Sequence, residues 1–175
     1  PPTALREETA WQTMPELHLV ENCSGLPPKN QGTVRTARTK SSFRVLFEMV
    51  TPEPRATLSG HKQPLYHEDV AEVFIDPFGD HSVYYEFEVN PLNAHLELVV
   101  RRTRYAVIRT VTGWSAEFDI PFADLPTSPL DVPSWRVNFT RIDRPQNAPR
   151  ELTAWSPTGL AQFHIPSNFG EIRFV

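Results

Sequence analysis

HEDVAEVFIDPFGDHSVYYEFEVNP, residues 67–91, is the stretch that decides the fold. Two runs rich in β-branched and aromatic residues, Val70 to Asp76 and Val83 to Asn90, flank Pro77-Phe78-Gly79-Asp80-His81, where Pro and Gly mark a turn. The pattern predicts a β-hairpin. Side chains alternate across a strand, so Val73 and Ile75 share one face while Glu72, Phe74 and Asp76 share the other. In the second run Tyr85, Phe87 and Val89 oppose Tyr84, Glu86, Glu88 and Asn90. Carboxylates therefore line up on one strand face, and the plain expectation is the solvated outer side of an antiparallel sheet.

The same alternation recurs on both sides of the hairpin. Phe43 to Thr51 sets Phe43, Val45, Phe47 and Met49 against Arg44, Leu46, Glu48 and Val50, and Pro52 and Pro54 close it. Trp114 to Pro121 sets Trp114, Ala116, Phe118 and Ile120 against Ser115, Glu117 and Asp119; Trp135 to Ile142 sets Trp135, Val137, Phe139 and Arg141 against Arg136, Asn138, Thr140 and Ile142. Leu17 to Glu21, Thr33 to Thr39 and Glu171 to Val175 read as further strands, and Leu96 to Arg102 is expected to pair with Tyr105 to Val111 as another hairpin. A short helical turn fits Phe122 to Leu125; the lead-in Pro1 to Gln12 reads as another such turn or as irregular chain, its Trp11 plugging one end of the core; Asp143 to Phe169 reads as mainly loop. Many short strands without a long amphipathic helix predict an all-β fold, a two-sheet antiparallel β-sandwich of immunoglobulin-like or jelly-roll-like type. A length of 175 residues suits one such domain spanning residues 1–175, and 18 prolines against 7 glycines suit short elements joined by stiff loops.

Composition removes several function classes. The net charge of −4, with both signs interspersed, gives no basic stripe and speaks against nucleic acid as a partner. No apolar run approaches the ~18 residues of a membrane span. The lone Cys23 cannot form an internal disulfide framework and is expected to act as a small buried hydrophobe. The chain opens on Pro1-Pro2 without a signal peptide, which reads as a trimmed or processed start. The six histidines lack a His-Glu-x-x-His pair, so a zinc enzyme of that kind is not expected.

Taken together, HEDVAEVFIDP, YYEFEVNP, GWSAEFDIPF, WRVNFTRID, AWSP and SNFGEIRFV stand in an order that resembles carbohydrate-binding module family 9 and the related DOMON-type sandwiches. The resemblance runs from about Trp11 to Val175. It implies a noncatalytic sandwich that binds carbohydrate, often with structural calcium, often attached to a glycoside hydrolase domain, and located outside the cell or in the periplasm. It also implies a sugar held between two aromatic side chains, with charged and amide groups on its hydroxyls. Apolar ring faces pack on aromatics while carboxylate, amide and guanidinium groups satisfy hydroxyl pairs. The first clamp position falls on Tyr66, six residues before the motif glutamate Glu72, and is a tyrosine where the family usually has tryptophan; the second falls on Trp155. Arg141 is similar to a family arginine that faces the ligand, and Glu88 stands near a position where the family carries an arginine. Glu86 and Asn138 complete the expected ligand set, although strand alternation puts Asn138 and Arg141 on opposite faces unless a bulge intervenes.

Calcium takes six to eight oxygens, so the acidic turn is the place to seek it: Asp76, Asp80 and Asp69, with Glu68 as an alternate. Three other readings compete with sugar binding. A glycoside hydrolase would draw a carboxylate pair about 5 to 9.5 Å apart from Glu72, Glu86, Glu88, Glu117 and Asp119. A sandwich that has lost sugar binding would serve as a scaffold or bind a partner. A haem-binding DOMON domain would need Met14 or Met49 as an axial ligand, but Met49 lies on the expected core face of its strand.

Overall fold

The computed structural model describes residues 11–98, 102–128 and 131–174. Its strands are β1 (Leu17–His18), β2 (Val20–Glu21), β3 (Gly32–Arg38), β4 (Ser42–Val50), β5 (Val70–Asp76) and β6 (Tyr85–Val89), followed by β7 (His95–Glu97), β8 (Arg104–Arg109), β9 (Gly113–Pro121), β10 (Ser134–Asp143), β11 (Glu151–Ala154) and β12 (Gly170–Arg173). One sheet runs β1-β3-β4-β9-β8; the other runs β2-β11-β10-β5-β6-β7, with β12 also paired to β10. Every pairing between these strands is antiparallel. The predicted two-sheet β-sandwich is what forms.

The alternation sets the packing. Phe43, Val45, Phe47 and Met49 of β4 and Phe118 of β9 meet Val73 and Ile75 of β5, Phe87 of β6, and Trp135, Val137 and Phe139 of β10 in one buried cluster. Phe43 and Trp135 touch edge to face across it, with ring centroids 5.8 Å apart. Each such side chain contributes roughly 1.5–3 kcal/mol by leaving water. A one-residue slip would exchange these apolar groups for Glu72, Glu86 and Asn138, which fixes the register. Met49 is core filling here, 3% exposed among those aromatics.

The outer face of the second sheet is not solvated, contrary to the sequence expectation. Every residue of β5 is buried. Val70, Phe74, Ile142 and Leu152 on that face form a second apolar cluster with Leu65, Phe163 and Phe169 from the flanking loops. The sheet face carries enough hydrocarbon to hold segments 58–66 and 155–169 over it.

Further corrections concern connections. Leu96 to Arg102 and Tyr105 to Val111 do not form a hairpin: β7 pairs with β6 and β8 with β9, so the two belong to different sheets. The turn that wins joins β8 to β9 at Gly113, where Thr110 N–H donates to the Gly113 carbonyl. A Cβ on Gly113 would sit 1.9 Å from the Met49 carbonyl oxygen, so only glycine fits that approach. The stretch 143–169, read as mainly loop, contains β11 and a 3-10 turn at Pro166–Asn168. The expected turn at 122–125 is a 3-10 turn, Phe122–Asp124. Cys23 is exposed rather than buried. Trp11 is buried, but beneath the Arg44 guanidinium, 5.4 Å from its ring centre, and outside both clusters. Parts of three expected elements, residues 1–10 of the lead-in, 99–101 of the Leu96 strand and Val175, lie outside the described residues.

Candidate functional site

Three carboxylates come together on the outer face of the second sheet. β5 and β6 pair Glu72 with Glu88 and Phe74 with Glu86, and β10 brings Thr140 opposite Glu72. Carboxylate oxygens of Glu72, Glu86 and Glu88 all lie within 4.8 Å of one another. The Thr140 hydroxyl donates to Glu72 Oε2 at 2.5 Å, whereas the buried Oε2 of Glu88 has no hydrogen-bond partner. His164 Nε2 stands 3.9 Å from Glu86 Oε1, and its Nδ1 is 3.0 Å from the Tyr84 hydroxyl.

These groups line a cleft of about 190 Å³, whose walls are Tyr66, Arg150, Gln162, Phe163 and His164. Tyr66 is set there by its neighbours. It occupies the 3-10 turn Leu65–His67, whose Leu65 is fully buried, and Arg144 Nη2 donates to its carbonyl at 2.6 Å. Just beyond, Glu68 accepts from Thr57 N–H and from Asn90 Nδ2, tying the turn to both flanking segments. The Tyr66 ring remains 51% exposed and packs on His67 at 4.3 Å.

Desolvation dominates the electrostatics. Burial, with the Glu86 charge nearby, pushes the Glu72 carboxyl up to about 8 even though the Thr140 hydroxyl favours its ionised form. Burial and the charges of Glu72 and Glu86 push Glu88 up to about 9. Glu86 is raised by burial as well, moderated by His164. The cleft thus presents carboxyl groups that need hydrogen-bond or charge partners, beside an exposed aromatic ring.

The predicted ligand set divides. Tyr66, Glu72, Glu86 and Glu88 line the cleft. Trp155 does not: one residue past β11, it packs on the core side, 5.6 Å from Phe139, with its ring over Gly170, where a Cβ would come within 2.3 Å. Arg141 also points into the core. It is fully buried, donates to the carbonyls of Asn30, Gln31 and Val50, and pairs with Asp143 at 3.3 Å. Alternation prevails over the carried-over role. Asn138 lies on the cleft side of β10, but its amide is spent on the chain: Nδ2 donates to the Ser156 carbonyl, and Oδ1 accepts from the Phe139 and Ser156 amides.

The acidic residues named for calcium do not form a cage. Asp76 accepts backbone N–H groups of Phe78, Gly79 and His81, so its oxygens close the turn. Asp80 accepts from Ser82 N–H in the same turn. Asp69 lies seven residues before Asp76 along an extended strand, roughly 23 Å away, and accepts from the Arg55 and Arg144 amides. Glu68 has its oxygens filled by Thr57, Leu58 and Asn90. Donor amides reach each of these carboxylates, and burial, with the Asp143 carboxylate that it also faces, pushes Asp69 up to about 6.

Residues 6–175 match the family described as carbohydrate family 9 binding domain-like. This chain belongs to that family. The fold is shared with a family 9 module of Caldicellulosiruptor kristjanssonii, solved with cellotriose, which superposes with a TM-score of 0.76 at 18% identity, covering 95% of this chain and 85% of that one. A Bacteroides uniformis protein superposes with a TM-score of 0.79 at 22% identity, over 98% and 91% of the two chains. A curated relative, an extracellular protein of Arthroderma benhamiae, is 29% identical, and the match spans 61% of each chain.

Within this family 9 domain, sequence reasoning missed Arg150, Gln162 and His164. Arg150 sits on the irregular chain just before β11, and Gln162 and His164 on that between β11 and β12, where no periodicity points a side chain anywhere. The one available signal is the density of Gln, Phe and His at 162–164 in an otherwise small and polar loop.

Proposed function

We propose that this chain binds carbohydrate without turning it over, in the cleft formed by β5, β6 and the 155–169 segment. One observation carries the reading: the exposed Tyr66 ring stands beside the buried carboxyls of Glu72 and Glu88 and the half-buried one of Glu86, and Glu88 Oε2 lacks a hydrogen-bond partner. A pyranose supplies both complements, an apolar face for the ring and hydroxyl donors for the oxygens. Family 9 membership supports it, as do the glucose and cellotriose bound by the Caldicellulosiruptor module. Glucose-type chain ends are therefore the first ligands to try. In this reading the domain works outside the cell, in keeping with its extracellular relative, and beside a glycoside hydrolase domain that it holds to substrate.

The hydrolase reading fares worse on electrostatics. Glycoside hydrolysis sets a protonated acid against an ionised partner, whereas all three cleft carboxyls are pushed the same way, upward. Glu117 and Asp119, the other carboxylates weighed for that role, are paired with Arg44 and Arg104 on the other sheet.

A glycan array on the purified chain, run with calcium and again with chelator, tests the proposal. Binding that Tyr66→Ala and Glu72→Gln each weaken supports it, and a chelator effect would bring calcium into the mechanism. A blank array under both conditions overturns it, and release of reducing sugar would replace it with hydrolysis.

A further inference from the structure

Away from the cleft, one other group among the described residues converges: ligand atoms of His61, His95 and Glu97 lie within 4.8 Å of one another. We propose that these three side chains form a binding site for a single zinc-class divalent cation at the open edge of the sandwich.

The backbone places them. Glu97 pairs with Phe87, a core residue, and His95 pairs with Val89, so both side chains of β7 turn to the core side of its sheet at the outermost strand. His61 arrives from a separate segment stitched to β7: His95 N–H donates to the Gly60 carbonyl and Lys62 N–H to the His95 carbonyl. The chain is bent on both sides of His61, with Gly60 at φ +91° and Lys62 at φ +59°. A left-handed lysine costs roughly 1–2 kcal/mol, and such strain accompanies positions the surroundings hold for a purpose.

The geometry suits a tetrahedral ion. Zinc with bonds of ~2.0–2.1 Å spaces its ligand atoms about 3.3 Å apart, and His61 Nε2 stands 3.4 Å from Glu97 Oε1. The supporting contacts free the right atoms. The Tyr105 hydroxyl donates to Glu97 Oε2 at 2.9 Å, leaving Oε1 for the ion. His95 Nδ1 lies 3.3 Å from the Asn93 carbonyl, which selects the tautomer with Nε2 open, and the ring is stacked on Tyr105 at 4.6 Å. Metal-bound histidines and carboxylates are held by outer contacts of this kind. Glu97 is 5% exposed, and its ion-pair partner among the described residues is His61, a group charged only when protonated. A cation would supply the missing charge. The His61 side chain is 45% exposed, so the ion has a path in and a fourth position open to water. Two imidazoles and one carboxylate favour zinc over calcium, which takes oxygen ligands. The ion would tie the 60–62 segment to β7 and, through Tyr105, to β8 of the facing sheet.

Calorimetric titration of the tag-free chain with zinc chloride tests this, with cobalt absorption reporting coordination. One equivalent should bind, raise the thermal midpoint reversibly on chelation, and give the visible bands of tetrahedral cobalt. His61→Ala, at an exposed site that tolerates it, and Glu97→Gln should each weaken binding at least tenfold, while His18→Ala at a remote surface histidine should leave it unchanged. Failure to bind one equivalent, or binding that survives His61→Ala and His95→Ala, overturns the assignment.

Discussion

Glu72 on β5 and Glu88 on β6 are direct cross-strand partners, 3% and 5% exposed, so two carboxyls stand side by side at the floor of the cleft. Like charges opposite one another destabilise a sheet, and burial compounds the cost. A fold that keeps such a pair is holding acceptors in readiness rather than optimising its own stability.

Stability should fall as pH rises. The Glu72 and Glu88 carboxyls, at about 8 and about 9 when folded, ionise near 4.5 in ordinary surroundings. Between those limits the native chain binds protons that the unfolded chain has released, so unfolding free energy declines from about pH 5 to pH 9. Urea denaturation across that range should show the decline, and Glu88→Gln, which keeps a polar group but cannot ionise, should flatten it and gain about 1–2 kcal/mol at pH 8. An unchanged slope in Glu88→Gln would sink the idea.

Tyr66→Ala should separate binding from folding. Its half-exposed ring contributes little to the core, so the thermal midpoint should hold, whereas loss of a stacking face should cost about tenfold in sugar affinity. Isothermal titration beside a thermal melt reads both.

Trp155→Ala should do the reverse. Its contact with Phe139 and its seat over Gly170 make it a packing residue, and removal should cost about 2–4 kcal/mol while leaving the affinity of the folded protein intact. A loss of affinity with unchanged stability would return Trp155 to the ligand.

Arg141→Ala should be more damaging to the fold. The change strips three backbone carbonyls and Asp143 of a buried guanidinium, for about 3–5 kcal/mol by urea unfolding.

The sandwich was legible because its strands repeat apolar residues with period two: β5 begins and ends where Val70 and Asp76 predict it, and β4, β9 and β10 lie within two residues of their expected bounds. The same rule located Glu72, Glu86 and Glu88 on one face, yet it could not tell an open face from a covered one. Leu65, Phe163 and Phe169 cover it from segments with no period of their own. Arg141 turned out differently because alternation assigns it to the core and motif likeness outweighed that, whereas Trp155 stands one residue past β11, a strand hidden in a stretch read as loop. The crossing from β7 to β8 escaped notice because two adjacent strand-like runs look the same whether they pair or part.

β10 owes its two halves to different neighbours. β12 is laid against residues 134–137 and β11 against 140–143, while β5 runs along both. Tension or fraying that enters through β12 therefore bares one edge of the first half of β10, which β5 still holds, and stops short of Thr140, beneath the cleft, clasped by β11 and β5. The molecule can loosen at its C-terminal strand and keep its grip.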